Sequence, residues 1–180
     1  MRHKVFIILI LIFAIFPLYS TTEKENIDFI VTFDSGVIDA IWSKHLHLRF
    51  GLNLISENGV GLEVPLSLLI DRSGGGEALF SSGVNLLFYP WQVGPFIALS
   101  LASVSIFVGP YLPEERIHYL NEIAFGYTYQ FKEKYIVQGS IIYKDPSKSF
   151  EDDFYYINSL ISGFQRFHFC LNFGYKAFTF

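Results

Sequence analysis

The side chains of this sequence best suited to metal ligation or covalent chemistry are five histidines and one cysteine, and they are thinly spread. His45 and His47 stand two residues apart, so on a strand they share a face and could turn towards one cation. Two imidazoles without a third donor make a weak site, and no metal centre is expected from them. His168 and Cys170 repeat that spacing, but burial among small residues favours an inert thiol. His118 with Glu114 and Glu115 is the one histidine–acid grouping in a loop, and it reads most simply as solvated. Ser82 and Ser103 fall on the exposed face of their strands, whereas His47 and His168 point the other way, so no serine–histidine pair is in register. Gly74, Gly75 and Gly76 lack the Lys-Ser/Thr that a phosphate loop needs and read as a flexible tip. No catalytic, cofactor-binding or metal residue is assigned, no cofactor is implied, and the chain is not expected to be an enzyme.

The segments that carry these residues are dominated by a period of two. Residues 167–175 alternate Phe167, Phe169, Leu171, Phe173 and Tyr175 with His168, Cys170, Asn172 and Gly174, the pattern of a half-buried strand. The same alternation appears at Ile27 to Phe33, Leu46 to Leu54, Leu62 to Ile70, Phe80 to Phe88, Ile123 to Phe131 and Tyr135 to Tyr143, and less cleanly between Phe96 and Phe107. Asn58-Gly59 and Lys132-Glu133-Lys134 mark tight hairpins, and residues 90–94 a third short connection. The other connections, at 34–43, 71–76, 109–118 and 145–164, are longer. Eight strands thus alternate short turns with long loops, and both termini fall on the short-turn side.

The first 20 residues read as a secretion signal: Arg2 and Lys4, then an apolar run at 5–16, then a cut before Thr21. Residues 21–180 form the single mature domain. That run is about a dozen residues, short of the ~20 that a membrane helix needs, and no later stretch approaches it. Yet 51% of the chain is hydrophobic and 18% aromatic, which fits a barrel whose lipid face is apolar only at alternate positions. Large apolar residues on one face would overfill so narrow an interior, so that face belongs outside. The net charge of −4 becomes more negative once Arg2 and Lys4 leave with the signal, which argues against nucleic acid as a partner. One cysteine cannot form an internal disulfide.

In this layout the chain resembles the small eight-stranded outer-membrane barrels, the group that includes the transmembrane domain of outer-membrane protein A and the X and W types. Such proteins end in a targeting strand of the form polar-x-Gly-x-x-aromatic-x-aromatic. Here Asn172 and Gly174 supply its start, and Phe178 and Phe180 its end. The gap after Gly174 is one residue longer and the alternation changes parity, so a bulge near Lys176 or Ala177 is expected to restore the facing. The resemblance implies an all-β, closed, antiparallel, up-and-down transmembrane barrel in a bacterial outer membrane. Its partners would be outer-membrane lipid and, through the last strand, the barrel assembly machinery.

The inward charges should pair. Hairpin register sets Glu122 opposite Lys144, the closing seam brings Asp28 to Lys176, and Arg49 meets Glu63 more loosely. The expected function is a structural or surface-interaction role, with an extracellular partner at the outer loops. Tyr155, Tyr156 and Ile157 would form a projecting hairpin or contact surface within 145–164. The alternative is a narrow channel or carrier for small hydrophobic compounds. A third is a lipid-modifying enzyme, which would need a lumen pocket joining His47 or His168 to a serine.

Overall fold

The computed structural model describes residues 26–34, 36, 38, 41, 45–72, 78–91, 93–108, 117–161 and 164–180. The expected signal segment at 1–20, most of the 34–43 loop, the three glycines at 74–76, and Glu114 and Glu115 lie outside them. Alternating runs become β1 (Ile27–Asp34), β2 (His45–Ser56), β3 (Val60–Asp71), β4 (Ala78–Phe88) and β5 (Gly94–Val108). The second half gives β6 (Ile117–Tyr119), β7 (Glu122–Phe131), β8 (Tyr135–Lys144), the helix α1 (Glu151–Leu160) and β9 (Phe167–Thr179). The strands run β4-β3-β2-β1-β9-β8-β7-β5, and β5 pairs back onto β4. Eight antiparallel strands thus close into a barrel, as expected, and β6 adds a short ninth strand on the outer part of β5.

Local chemistry sets the short-turn end. Gly59 adopts φ +76° beyond the Ser56–Gly59 hairpin bond of 2.9 Å. A side chain there would run into the Tyr89 carbonyl, and the Gly59 carbonyl in turn accepts the Tyr89 N–H at 2.6 Å. That contact ties the first hairpin to the end of β4. The Lys132-Glu133-Lys134 turn holds Lys132 and Glu133 at positive φ, the geometry that suits a tight hairpin. At the seam, Ile27 and Phe180 exchange both backbone hydrogen bonds, at 2.9 and 3.1 Å.

The parity slip in the last strand is a bulge. Phe29 faces Phe178 whereas Ile30 faces Lys176, so Ala177 is the extra residue. Phe178 and Phe180 consequently point outward, half exposed, and Phe178 stacks on Phe29 at 4.8 Å. A second bulge was not foreseen. Val84 pairs with Ala102 but Asn85 with Ser100, which leaves Leu101 extra on β5. It reverses the facing, so Ser103 lines the interior, which corrects the expectation that it stands on the exposed face.

Two further expectations are corrected. The 145–164 connection is no projecting hairpin: Phe154, Ile157 and Ile161 lie at helical spacing, and α1 turns them into the barrel mouth. Ile157 is fully buried, packed with Leu69, Leu79, Phe107, Leu120 and Phe164. His118 is likewise no solvated loop residue. It sits on β6 without exposure, stacked on Tyr156 and hydrogen-bonded through Nδ1 to Asp153 Oδ1 at 2.8 Å.

The outer surface is apolar on every one of the eight barrel strands. Phe33, Phe50, Leu62, Phe80, Leu101, Phe125, Ile141 and Phe169 are each exposed, one from each. The interior holds the buried polar residues, among them Thr32, Asp34, His47, Arg49, Asn53, Glu63, Asn85, Thr128, Lys144, His168 and Asn172.

Candidate functional site: the filled lumen and its histidine–cysteine cluster

Three levels of side chains fill the lumen. At the short-turn end a polar vestibule of about 280 Å³ is lined by Asp28, Asn53, Tyr89, Thr128, Gln138 and Lys176 among others. Thr128 Oγ1 and Gln138 Nε2 both reach the Tyr89 hydroxyl, at 3.4 and 3.2 Å, and Asn172 Nδ2 donates to Gln138 Oε1 at 3.1 Å. Lys176 Nζ pairs with Asp28 Oδ2 at 2.6 Å across the seam, as the register predicted.

The middle level is a charge septum. Arg49 on β2 lies diametrically opposite β7 in the strand order, and its guanidinium spans the lumen. Nη2 reaches Glu63 Oε2 at 3.2 Å and Nη1 reaches Glu122 Oε2 at 3.3 Å. Asn85 Nδ2 donates to Glu63 at 2.7 Å and satisfies a further lone pair. The Arg49–Glu63 contact expected to be loose is therefore a buried ion pair. Glu122 and Lys144 are cross-strand partners as expected, but Arg49 is the partner whose ion pair to Glu122 crosses the lumen. A buried guanidinium is tolerable only when its charge and its N–H groups are matched, and two carboxylates achieve that here.

The outer level is apolar and closed by α1. Electrostatic clips hold the helix down. Arg166 contacts Asp145 Oδ2 and Glu151 Oε1, each at 3.3 Å, and lies over the Phe154 ring at 4.2 Å. Desolvation works against the Arg166 charge, but hydrogen bonds to Asp145 and Tyr155 keep it more firmly protonated than usual. Lys144 Nζ sits 4.1 Å from the centre of the Phe164 ring.

Between septum and plug lies the cluster of greatest chemical interest. His47 Nδ1 and His168 Nε2 are 2.7 Å apart, and the donor atoms of His47, His168 and Cys170 all lie within 4.8 Å of one another. All three are buried. The early end of β1 explains why residues from non-adjacent strands meet. Asp34, its last residue, pairs with Arg49 on β2 and Asn172 on β9. One inward step further along, β2 offers His47 and β9 offers Cys170, while the intervening chain has reached Gly36 at φ +66°. The Asp34 carboxyl neighbours the Cys170 thiol, and its Oδ1 accepts the Gly36 N–H at 2.8 Å. The structure thus joins His47 to His168 and Cys170, and supplies from β9 the donors that the His45–His47 pair lacked in sequence.

A cavity of about 20 Å³, room for roughly one water, connects His47 with Ser67, Ser81, Ser103 and Ser105. Outside the wall, where β5 passes from β7 to β6, an apolar recess of about 600 Å³ opens beside Val64, Val84, Leu101, Val104 and Phe150. Ser103 and Leu120 line both spaces. Ser100 Oγ and Asn121 Oδ1, at the margin of the recess, are buried without a hydrogen-bond partner among the described residues.

No family model matches this chain, and neither does any curated protein or solved structure. The functional reading rests on the molecule itself.

Proposed function

We propose that the chain is an integral outer-membrane barrel with an occluded lumen, non-enzymatic, serving a structural or surface-interaction role at its long-loop end. The observation that carries this reading is the inverted polarity: large apolar side chains exposed on all eight strands around a hydrogen-bonded interior. A soluble barrel has the opposite arrangement, and a soluble monomer does not leave an apolar belt of this extent in water. Strands of 10 to 15 residues in β2 to β5 and β7 to β9 match the ~9–11 tilted residues that cross a bilayer. Aromatic clusters at the short-turn end fit an interfacial girdle: Tyr129 with Phe131 and Tyr135, and Phe29 with Phe178 and Phe180. Closure by the septum and α1 favours a platform over a conducting pore. Refolding into planar bilayers tests this, with heat-modifiable migration reporting the folded barrel and conductance reporting the lumen. Folded barrel without steady ion conductance is expected; stable open-channel steps would refute the occluded platform.

The cavity that joins His47 to four serines has room for one water and not for an acyl substrate, which weighs against a lipid-modifying enzyme. The wall recess favours a second reading, a carrier for small hydrophobic compounds. Ser103 and Leu120 line both it and the lumen cavity. Binding of a fluorescent fatty acid in lipid nanodiscs, lost when Ala102→Phe fills the recess, would support a carrier; equal binding by the variant would exclude this route.

A further inference from the structure

We propose that His47, His168 and Cys170 form a buried site for one divalent d-block cation of borderline softness, with zinc the natural occupant. Two imidazoles and a thiolate are the donor set that such an ion prefers over the hard cations, which seek oxygen. The ion needs Zn–N near 2.0–2.1 Å and Zn–S near 2.3 Å, which places donor atoms of a tetrahedral site roughly 3.4–3.7 Å apart. His47 Nδ1 and His168 Nε2, now at 2.7 Å, must part by less than about 1 Å, and the sulfur must close in by up to roughly 1.4 Å. Side-chain torsions of His47, His168 and Cys170 cover movements of that size.

Binding replaces the thiol proton. The S–H bond of Cys170 breaks, the S–Zn bond forms with the electron pair that stays on sulfur, and the proton passes to the neighbouring Asp34 carboxylate and on to solvent. The hydrogen atom between the two imidazoles moves to the other nitrogen of its own ring, which frees both facing nitrogens as donors. Asp34, fixed by the Gly36 N–H, then either completes the coordination or orients the sulfur. The charges also fit. Around the cluster Arg49 and Lys144 are matched by Glu63 and Glu122, so the added dication is balanced by the Cys170 thiolate and the Asp34 carboxylate.

Cobalt tests the site, because a cobalt–thiolate bond gives a charge-transfer absorption that histidine and carboxylate ligands do not. The full chain would be refolded in detergent micelles with Co²⁺ present and with Co²⁺ added afterwards, the folded fraction being read by heat-modifiable migration. One equivalent per barrel with the thiolate band is expected, displaced by Zn²⁺. Cys170→Ser should fold and lose the band. His47→Gln and His168→Gln should each weaken binding at least tenfold, and Asp34→Asn by roughly 10–100-fold. Should the histidine variants fail to fold, Cys170→Ser, nearly the same size, decides alone. A folded wild-type barrel that shows no thiolate band under either loading would overturn the proposal, as would Cys170→Ser binding Co²⁺ as tightly as wild type.

Discussion

The two ends of the barrel are occupied by opposite means. At the short-turn end the strands stop at tight turns, and the lumen opens into a polar vestibule edged by Asp28, Gln138 and Lys176. At the long-loop end a ten-residue helix folds back, and Phe154, Ile157, Ile161 and Phe164 fill the mouth with hydrocarbon. Between them a single guanidinium, Arg49, bridges Glu63 and Glu122 across the full diameter. The difference follows from what each end has to offer. A three-residue turn such as Glu57–Gly59 or Lys132–Lys134 carries no apolar surface to insert, whereas a 20-residue connection can spare a helical face. An apolar plug needs no internal hydrogen-bond partners of its own, but its rim does, and His118–Asp153 and Arg166 with Asp145 and Glu151 meet that need.

This contrast between dry plug, charged septum and wet vestibule can be broken level by level. Arg49→Met should have the largest effect, a loss of about 3–5 kcal/mol in urea unfolding from lipid vesicles, because the buried Glu63 and the half-buried Glu122 both lose the Arg49 charge. If the loss were below 1 kcal/mol, the septum would be solvated. Next comes Ile157→Ala in the plug, expected to cost about 2–5 kcal/mol, since the side chain is fully buried and the helix cannot collapse around the void. A negligible change there would mean that α1 lies off the mouth. Thr128→Val in the vestibule should cost only about 1 kcal/mol, because the Tyr89 hydroxyl keeps its bond to Gln138. Smallest is Asp28→Asn, which removes a partly exposed pair at the rim; less than about 1 kcal/mol is expected, shrinking further in high salt.

Much of this was legible in the sequence because a barrel writes its fold with a period of two. Seven of the strands announce themselves by alternation, and the parity slip before Phe178 correctly announced the bulge at Ala177. The Asp28–Lys176 and Glu122–Lys144 relations followed from register arithmetic alone. What stayed hidden did so for physical reasons. Around Leu101, Ala102 and Ser103 the residues are small or mildly apolar and suit either face, so nothing in their types marks the second bulge. The helix begins at Phe150 without a side-chain cap, although Glu151, Asp152 and Asp153 in its first turn and the spacing of Phe154, Ile157 and Ile161 were signals that could have found it. The histidine–cysteine cluster depends on β1 ending at Asp34, two rows short of its neighbours. No local pattern records where one strand stops relative to two others.

Depth-dependent fluorescence quenching reads whether the apolar outer belt lies within a bilayer. Phe125 is exposed on β7, whereas Trp91 sits at the short-turn rim. Two proteins would be refolded into vesicles whose acyl chains carry bromine either deep or shallow: one with Trp42→Phe, which keeps Trp91, and one with Trp42→Phe, Trp91→Phe and Phe125→Trp. The Phe125→Trp protein should be quenched most by deep bromines and the protein retaining Trp91 most by shallow ones. Emission unquenched at both depths, in barrel that is folded and bound to vesicles, would contradict the bilayer location.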